Sequence, residues 1–172
     1  MCINELKKGH NGQREIEIFK GNRMTGIIIQ EEEPIFPIST AAKLLDISIH
    51  TLRMYERDGL IISFKKNSNR KLFSKMDIKR IECIRRSINE LKISINGIKA
   101  IYSLIPCWDI VKCSAKDRKI CNAFNGHNEP CWSYDHPKTI CEKKHCRNCD
   151  VYKKFSDCSE VKDMIKSYSE LL

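Results

Sequence analysis

Small and apolar side chains recur at helical spacing after a polar leader, with capping residues where a helix can begin. Ser39 can cap a helix over residues 40–45, and Ser48 can cap a second helix over residues 49–57. Gly59 follows the second helix, and glycine readily takes the left-handed conformation that ends a helix. Two short helices joined by a tight turn predict a helix-turn-helix.

The basic segment over residues 64–73 predicts a hairpin, because its two apolar ends favour extended strands. The Asn67-Ser68-Asn69 run between those ends favours a turn. The segment carries four positive charges, at Lys65, Lys66, Arg70 and Lys71. A hairpin of this kind can act as a wing that straddles a phosphate backbone.

Two longer amphipathic helices are predicted after the hairpin. Ser74 and Asp77 have the spacing of a capping box, and apolar residues recur at helical spacing over residues 78–91. The last of these helices begins near Ser94 and ends before Pro106. We expect both apolar stripes to form the core. The basic side chains expected on the outside of the first helix are Lys79, Arg80 and Arg86.

Positive charge is concentrated in this helical region. Residues 38–104 contain 14 Lys or Arg and 6 Asp or Glu, a net charge of +8 out of +9 for the 172-residue chain. His50, Arg53 and Arg57 share one face of the second helix. Cationic side chains dominate affinity for phosphate, and polar side chains on a helix can read base edges. The alternative is a solvated charged face that binds nothing.

Three segments carry a family resemblance: ISTAAKLL at 38–45, TLRMYERDGLI at 51–61 and NRKLFS at 69–74. Together with Asp77-Ile78 they resemble the winged-helix DNA-binding domain of the MerR family. The PIFP sequence at 34–37, which leads into the first helix, and the RKLF sequence of the wing are most similar to the HspR-like heat-shock repressors. The resemblance covers about residues 34–105.

The resemblance implies how this domain binds DNA. Arg53 and Tyr55 fall on family positions that contact phosphates or base edges, and Arg70 and Lys71 fall on wing positions that grip the backbone. Asp46 stands where glycine is common, which is tolerable because aspartate adopts left-handed conformations more readily than most residues. The predicted DNA-binding residues are Ser48, His50, Thr51, Arg53, Tyr55, Arg57, Lys65, Lys66, Asn69, Arg70 and Lys71.

The resemblance also implies partners. It predicts a homodimeric transcriptional regulator of the repressor type that binds double-stranded DNA at an inverted-repeat operator, because two-fold protein symmetry is mirrored in the site. By the same analogy, a chaperone is a conceivable co-repressor.

The rest of the chain is rich in cysteine and contains a repeat. Pro106-Cys107-Trp108 recurs as Pro130-Cys131-Trp132, and the Cys-x-aliphatic-aromatic ending at Cys121 recurs at Cys149. Asn122-Ala123-Phe124 after Cys121 is echoed by Asp150-Val151-Tyr152 after Cys149, and two such copies are improbable as chance. The pattern resembles a two-copy CW cysteine-rich module that is appended to bacterial regulators.

Few large aliphatic residues are available to hold this region together, so a metal centre is the favoured explanation for its cysteines. Cys146-x-x-Cys149 can chelate an ion from one turn, with His127, His136 and His145 in reserve. Zinc and an iron-sulfur cluster both remain open, as do free or disulfide-paired thiols. The predicted metal ligands are Cys107, Cys113, Cys121, Cys131, Cys141, Cys146 and Cys149.

The expected fold is mainly α: a winged helix-turn-helix domain, then a small irregular cysteine-rich metal-binding module and a C-terminal helix. The expected boundaries are a flexible leader at 1–33, the DNA-binding domain at 34–105, the module at 106–155 and an amphipathic helix at 156–172. No apolar run is long enough to span a membrane, and no secretion signal is evident, which favours the cytoplasm.

Two functions remain open. The favoured one is a transcriptional regulator whose module binds metal and can serve as a metal or redox sensor. The alternative is a metal-binding or redox relay protein in which the metal site is the working part and DNA binding is incidental. No phosphate loop or serine nucleophile elbow is present, so an enzyme is not expected.

Overall fold

The computed structural model describes residues 30–66 and 68–155, together with Asp163, Lys166 and Ser167. The helices of the first half are α1 (Ile38–Leu44), α2 (Ile49–Arg57), α3 (Lys75–Asn89) and α4 (Ile95–Ser103). The helices of the second half are α5 (Cys107–Ile110), α6 (Ala115–Ile120), α7 (Asn122–Asn125) and α8 (Asp150–Lys154). Single 3-10 turns lie at Cys131–Ser133 and Cys146–Asn148. The expected mainly α fold is confirmed.

The helix-turn-helix forms much as its local sequence predicts. α2 has the expected bounds, and the hydroxyl of Ser48 accepts the amide hydrogen bond of Thr51 at 3.0 Å. α1 begins earlier than expected, at Ile38, with Pro37 in the capping position and no side-chain cap. Between the helices, Asp46 takes a left-handed conformation with a φ of 49°. The turn therefore uses the conformation that aspartate tolerates.

The wing is a hairpin within a small three-stranded antiparallel sheet. Its strands are β1 (Phe36–Pro37), β2 (Phe64–Lys65) and β3 (Lys71–Phe73), in the order β1-β3-β2. Leu72 pairs with both Phe64 and Pro37. The hairpin was predicted, whereas β1 was not, because a two-residue strand before a helix has no periodicity to detect.

α3 and α4 pack behind the helix-turn-helix and begin at the predicted caps. Ser74 and Asp77 form the reciprocal capping box of α3, and Ser94 caps α4. The core combines small and branched residues of α1 and α2 with residues of α3 and α4. Its buried members in this half include Ala41, Leu52, Leu60, Phe73, Ile81, Ile84 and Ile98.

The cysteine-rich half packs on the same hydrophobic core. Trp132, Val151, Tyr152 and Phe155 belong to one buried cluster with the core residues of the first half. Three aromatic rings link the halves, since Trp132 lies 5.5 Å from Tyr102 and 5.2 Å from Tyr152 between ring centroids. The hydrophobic core therefore continues across residue 105, where the composition of the sequence changes.

Arg80 corrects one expectation from the sequence. Its side chain was expected on the outside of α3, but it is about 1% exposed. The guanidinium donates hydrogen bonds to the carbonyl oxygens of Tyr152 and Phe155, at 3.3 Å for the second. It also lies 3.6 Å from the ring centre of Tyr152 and 5.8 Å from that of Trp132. The cysteine-rich half therefore provides both hydrogen-bond acceptors of one terminal nitrogen, while Nε of Arg80 is buried without a hydrogen-bond partner among the described residues.

The two ends of the chain lie mostly outside the described residues, and the predicted leader and C-terminal helix are largely among the residues not described. The last leader residues are held in place: Glu31 accepts a salt bridge from Lys79 at 2.8 Å, and Glu32 pairs with Lys153. Asp163, Lys166 and Ser167 are helical. Among the described residues, no helix is both long and apolar enough to cross a membrane.

We expect replacement of Arg80 by methionine to destabilise the protein by about 3 kcal/mol, because carbonyl oxygens of α8 would lose a charged donor while the volume is kept. Thermal and urea unfolding measure this change. Arg86→Met, on the exposed side of α3, is the matched control and should leave stability within about 0.5 kcal/mol. Equal stabilities of the two variants would contradict the structural role of Arg80.

Candidate functional site

The exposed face of α2 carries the predicted DNA-reading side chains. His50, Arg53 and Arg57 are all exposed, while Leu52 and Tyr55 are buried. Ser48 is exposed at the start of the helix, where its hydroxyl also lies 2.9 Å from that of Thr51. The amphipathic helix therefore turns its apolar residues to the core and leaves a polar, cationic face in solvent.

Tyr55 differs from the other predicted DNA-binding residues on α2. Its side chain is about 5% exposed and belongs to the hydrophobic core. Burial raises the pKa of its phenol, opposed by the nearby charge of Arg85. Any contact that Tyr55 makes with DNA is therefore limited to the small exposed part of the ring, and its contact remains a prediction.

The wing presents most of its predicted residues to solvent. Lys65, Lys66, Asn69 and Arg70 are exposed. Asn69 takes a left-handed conformation with a φ of 59°, and its amide donates to the carbonyl of Lys66 at 2.8 Å, which closes the turn. Asn67 lies outside the described residues. The tip of the hairpin is thus a compact cationic turn.

A salt bridge between Lys71 and Glu56 links the wing to α2. The ammonium of Lys71 forms a salt bridge with the carboxylate of Glu56, and the hydroxyl of Ser63 donates to the same carboxylate at 2.5 Å. Arg57 and Lys65 border one open groove of about 590 Å³. The predicted α2 face and wing are therefore adjacent, although part of the charge of Lys71 is neutralised within the protein.

The comparison with protein families bears on this half of the chain. Residues 36–104 match the family described as MerR HTH family regulatory protein. They form a MerR-family helix-turn-helix domain. The family resemblance of this segment is confirmed, whereas that of the cysteine region to the CW module stays a prediction.

A curated relative is similar to about half of this chain. It is the "Putative heat shock protein HspR" of Streptomyces coelicolor (strain ATCC BAA-471 / A3(2) / M145), 30% identical over 84 residues. The match covers 49% of this chain and 56% of the relative, so the chain spans just over half the length of that protein. No solved structure gave a significant match.

All seven predicted thiol ligands line one cavity behind the MerR-family domain. The cavity has a volume of about 40 Å³, and His136 and Lys144 also border it. The cysteines come from both CW copies, and all seven are free thiols that are partly buried. Over residues 30–66 and 68–155, no three Cys, His, Asp or Glu side chains stand close enough to hold an ion as they are.

Electrostatic coupling among these thiols is strong. Cys107 and Cys131 share a side-chain hydrogen bond, which lowers the pKa of Cys107 and raises that of Cys131. Burial is the main cause that raises the pKa of Cys113 and Cys146, and it raises that of Cys141 to about 12. Without a positive ion the cavity therefore disfavours several thiolates at once, whereas a bound cation would stabilise them.

Residues beside three of these cysteines contact the segment Gly59–Ile62, which joins α2 to the wing. The indole of Trp132 donates to the carbonyl of Gly59 at 2.8 Å, and the phenol of Tyr152 accepts from the amide of Ile62 at 2.7 Å. Gly59 has a φ of 73°, and a Cβ there would lie 2.6 Å from the hydroxyl of Ser133. No larger residue fits this junction without movement.

Arg147 adds a charged link between the halves. Its guanidinium makes a paired salt bridge with the carboxylate of Asp77, with distances of 3.0 and 2.5 Å, and donates to the carbonyl of Ile62. The Asp77 side chain is about 3% exposed, so this pair is shielded from water. Asp77 was predicted only as a capping residue. Its second role depends on a partner 70 positions away, which sequence spacing does not reveal.

The two repeat tryptophans play different parts. Trp132 is buried and contacts the MerR-family domain, whereas Trp108 is half-buried and packs edge-on against Phe124 at 5.1 Å. The second CW copy therefore forms the junction with the MerR-family domain.

In the reduced, metal-free protein we expect Cys131→Ala to raise the pKa of Cys107, because the hydrogen bond that lowers it is lost. Less thiolate at a given pH means that alkylation of Cys107 shifts to higher pH. The pH dependence of iodoacetamide labelling, read by mass spectrometry, measures the shift. Cys146→Ala is the control and should leave the profile in place. An unchanged profile in Cys131→Ala would show that the pair does not interact in solution.

Proposed function

We propose that this chain is a sequence-specific DNA-binding transcriptional regulator that reads duplex DNA with α2 and its wing. The observation that carries the proposal is a solvent-exposed cationic face on α2, adjacent to a cationic hairpin, within a segment that matches a DNA-binding family. Arg53 and His50 would reach base edges in the major groove, and the wing would contact phosphates.

In this proposal, Glu56 positions the wing relative to α2. Its carboxylate holds the base of the wing against α2 through Lys71 and Ser63. Because both elements must meet the DNA at once, their separation has to match the groove and the adjacent backbone. The cations of the wing at Lys65, Lys66 and Arg70 would then neutralise phosphates, as would Arg57, which lies 3.7 Å from the carboxylate of Asp58.

We further propose that the protein acts as a homodimer on an inverted-repeat operator, with one recognition helix and one wing for each half-site. The resemblance of residues 34–37 and of the wing to HspR-like repressors supports repression as the sign of regulation, and a chaperone co-repressor is proposed on that analogy alone. The match of residues 36–104 to the MerR family supports dimeric binding, since dimeric regulators bind DNA sites that share their two-fold symmetry.

The cysteine cavity is proposed to hold a metal centre, zinc or iron-sulfur, that acts as the signal input. Thiolates from both CW copies would supply the ligands. Support for a sensing role comes from the contacts of Trp132, Arg147 and Tyr152 with Gly59–Ile62, because each of these residues lies within three positions of a cavity cysteine. Closure of the thiols around an ion would thus act on the base of the reading surface.

We expect Arg53→Ala to weaken specific binding by about 1 to 3 kcal/mol, because a base-edge or phosphate contact is lost. Gel shifts with duplexes enriched by the wild-type protein from a random-sequence pool measure the effect. Unfolding temperature should be unchanged, because the side chain is exposed. Arg86→Ala, an exposed arginine on α3, serves as the control. Equal binding by Arg53→Ala and wild type would remove α2 from the interface.

We expect Trp132→Phe to uncouple DNA affinity from the metal state, because phenylalanine fills most of the ring volume but cannot donate to Gly59. Fluorescence anisotropy on the enriched duplex, with metal-loaded and metal-free protein, gives the ratio of affinities. That ratio should fall toward one in Trp132→Phe and stay at the wild-type value in Trp108→Phe, the matched position of the other repeat. A wild-type ratio of one would instead favour a metal-binding or redox relay protein.

A further inference from the structure

Arg80 is a buried cation without a carboxylate partner among the described residues. Its side chain is about 1% exposed, and none of the salt bridges between those residues includes it. Carbonyl oxygens of Tyr152 and Phe155 accept from its Nη2, and the Tyr152 ring lies against the guanidinium. All of these groups are neutral, so the positive charge itself is not matched. A buried charge is costly when no opposite charge accompanies it.

Nε of Arg80 is a second sign that a group binds here. Among the described side chains, the buried nitrogens without a hydrogen-bond partner are Nε of Arg80 and Nε of Arg118. Arg118 has a carboxylate oxygen of Asp109 at 3.9 Å from its Nη2, which balances its charge. Buried donors in folded proteins nearly always have an acceptor, either in the protein or in a small bound species. We therefore expect an acceptor for Arg80 from outside the chain.

Arg80 borders a second cavity, at the junction of the two halves of the protein. This cavity has a volume of about 40 Å³, whereas one water molecule needs about 10 to 15 Å³ on the same measure. The other charged residues that border it are Arg147, Lys153, Asp77 and Glu32. The volume suits a small ion and excludes a large organic anion.

The charges around this junction cavity do not cancel. Arg147 makes its paired salt bridge with Asp77, and Lys153 pairs with Glu32. Three cations and two carboxylates leave a net charge of +1, which is the unmatched charge of Arg80. A water molecule could accept from Nε but would add no charge. An anion would both accept from Nε and neutralise the guanidinium, and such charge-assisted hydrogen bonds are the strong ones.

We propose that the junction cavity binds one small monovalent anion of about the size of chloride, held by Nε of Arg80 and by the positive field of Arg147. A charge of −1 matches the net charge of the site, which favours a monovalent ion over phosphate or sulfate. None of the five charged residues borders the thiol cavity, so this inference does not depend on the proposed metal centre. Because Arg80 and Arg147 belong to different halves of the chain, the anion stabilises the junction between them.

The test measures the unfolding temperature of the full chain against chloride concentration. Sodium gluconate, whose anion is too large for the cavity, keeps the ionic strength constant. We expect Tm to rise by about 4 °C for each tenfold increase in chloride once the site is mostly filled, because only the folded protein binds the ion. Bromide should act like chloride, and its anomalous scattering in a crystal should place one ion beside Arg80 and Arg147.

Variants of the residues around the cavity test which groups hold the ion. Arg80→Met should remove the chloride dependence of Tm. Glu32→Gln should lower the chloride concentration for half-saturation by about threefold, because a partly exposed carboxylate that repels the anion is lost. Glu82→Gln, at an exposed carboxylate of α3 that does not border the cavity, is the matched control and should keep the wild-type value.

The contrary outcomes are equally clear. The same Tm in chloride and in gluconate, or water density in place of a bromide peak, would show that the cavity holds water alone. A folded Arg80→Met protein that keeps the chloride dependence would overturn the assignment of the site to Arg80. Equal shifts in Glu32→Gln and Glu82→Gln would show a general effect of surface charge. If Arg80→Met does not fold, the two glutamate variants and the bromide peak still decide.

Discussion

The burial of one charged side chain governs how the two halves of this protein relate. A guanidinium removed from water is costly unless hydrogen bonds and aromatic faces replace its hydration. For Arg80 the carbonyls of Tyr152 and Phe155 accept from one terminal nitrogen, and the rings of Tyr152 and Trp132 lie close to the guanidinium. Because all of these groups belong to the cysteine-rich half, separation of the halves would leave both the cation and the aromatic cluster without partners. The two halves therefore behave as one packed unit.

That packing places the thiol cavity next to the segment that joins α2 to the wing, the proposed DNA-binding elements. The residues that follow Cys131, Cys146 and Cys149 along the chain are the ones that contact Gly59–Ile62, between α2 and the wing. Glu56 transmits the position of α2 to the wing on the other side of the same junction. The thiols are thus within three residues of contacts to the segment between α2 and the wing, which would be a short path for coupling the cavity to the proposed DNA-binding surface.

Much of the DNA-binding half could be predicted, because its signals are local. Ser48, Ser74 and Ser94 cap their helices through amides three residues away, and the turn at Asp46 needs only a tolerant backbone. Arg80 was assigned to solvent because charge usually lies outside, and helical spacing cannot show that its face is covered by residues more than 70 positions later. Lys71 was taken as a free wing cation, although Glu56 partly neutralises it.

The sequence alone determined the helix starts, the cationic α2 face, the wing and the duplicated Pro-Cys-Trp motif, since each depends on residues within a few positions of one another. It also singled out seven cysteines as candidate metal ligands. Only the tertiary structure decided that these thiols share one cavity with His136 and that Asp77 pairs with Arg147. It also decided that Trp132, unlike Trp108, contacts the MerR-family domain. Those features depend on side chains that are distant along the chain, and their proximity is set by the packing of the whole core.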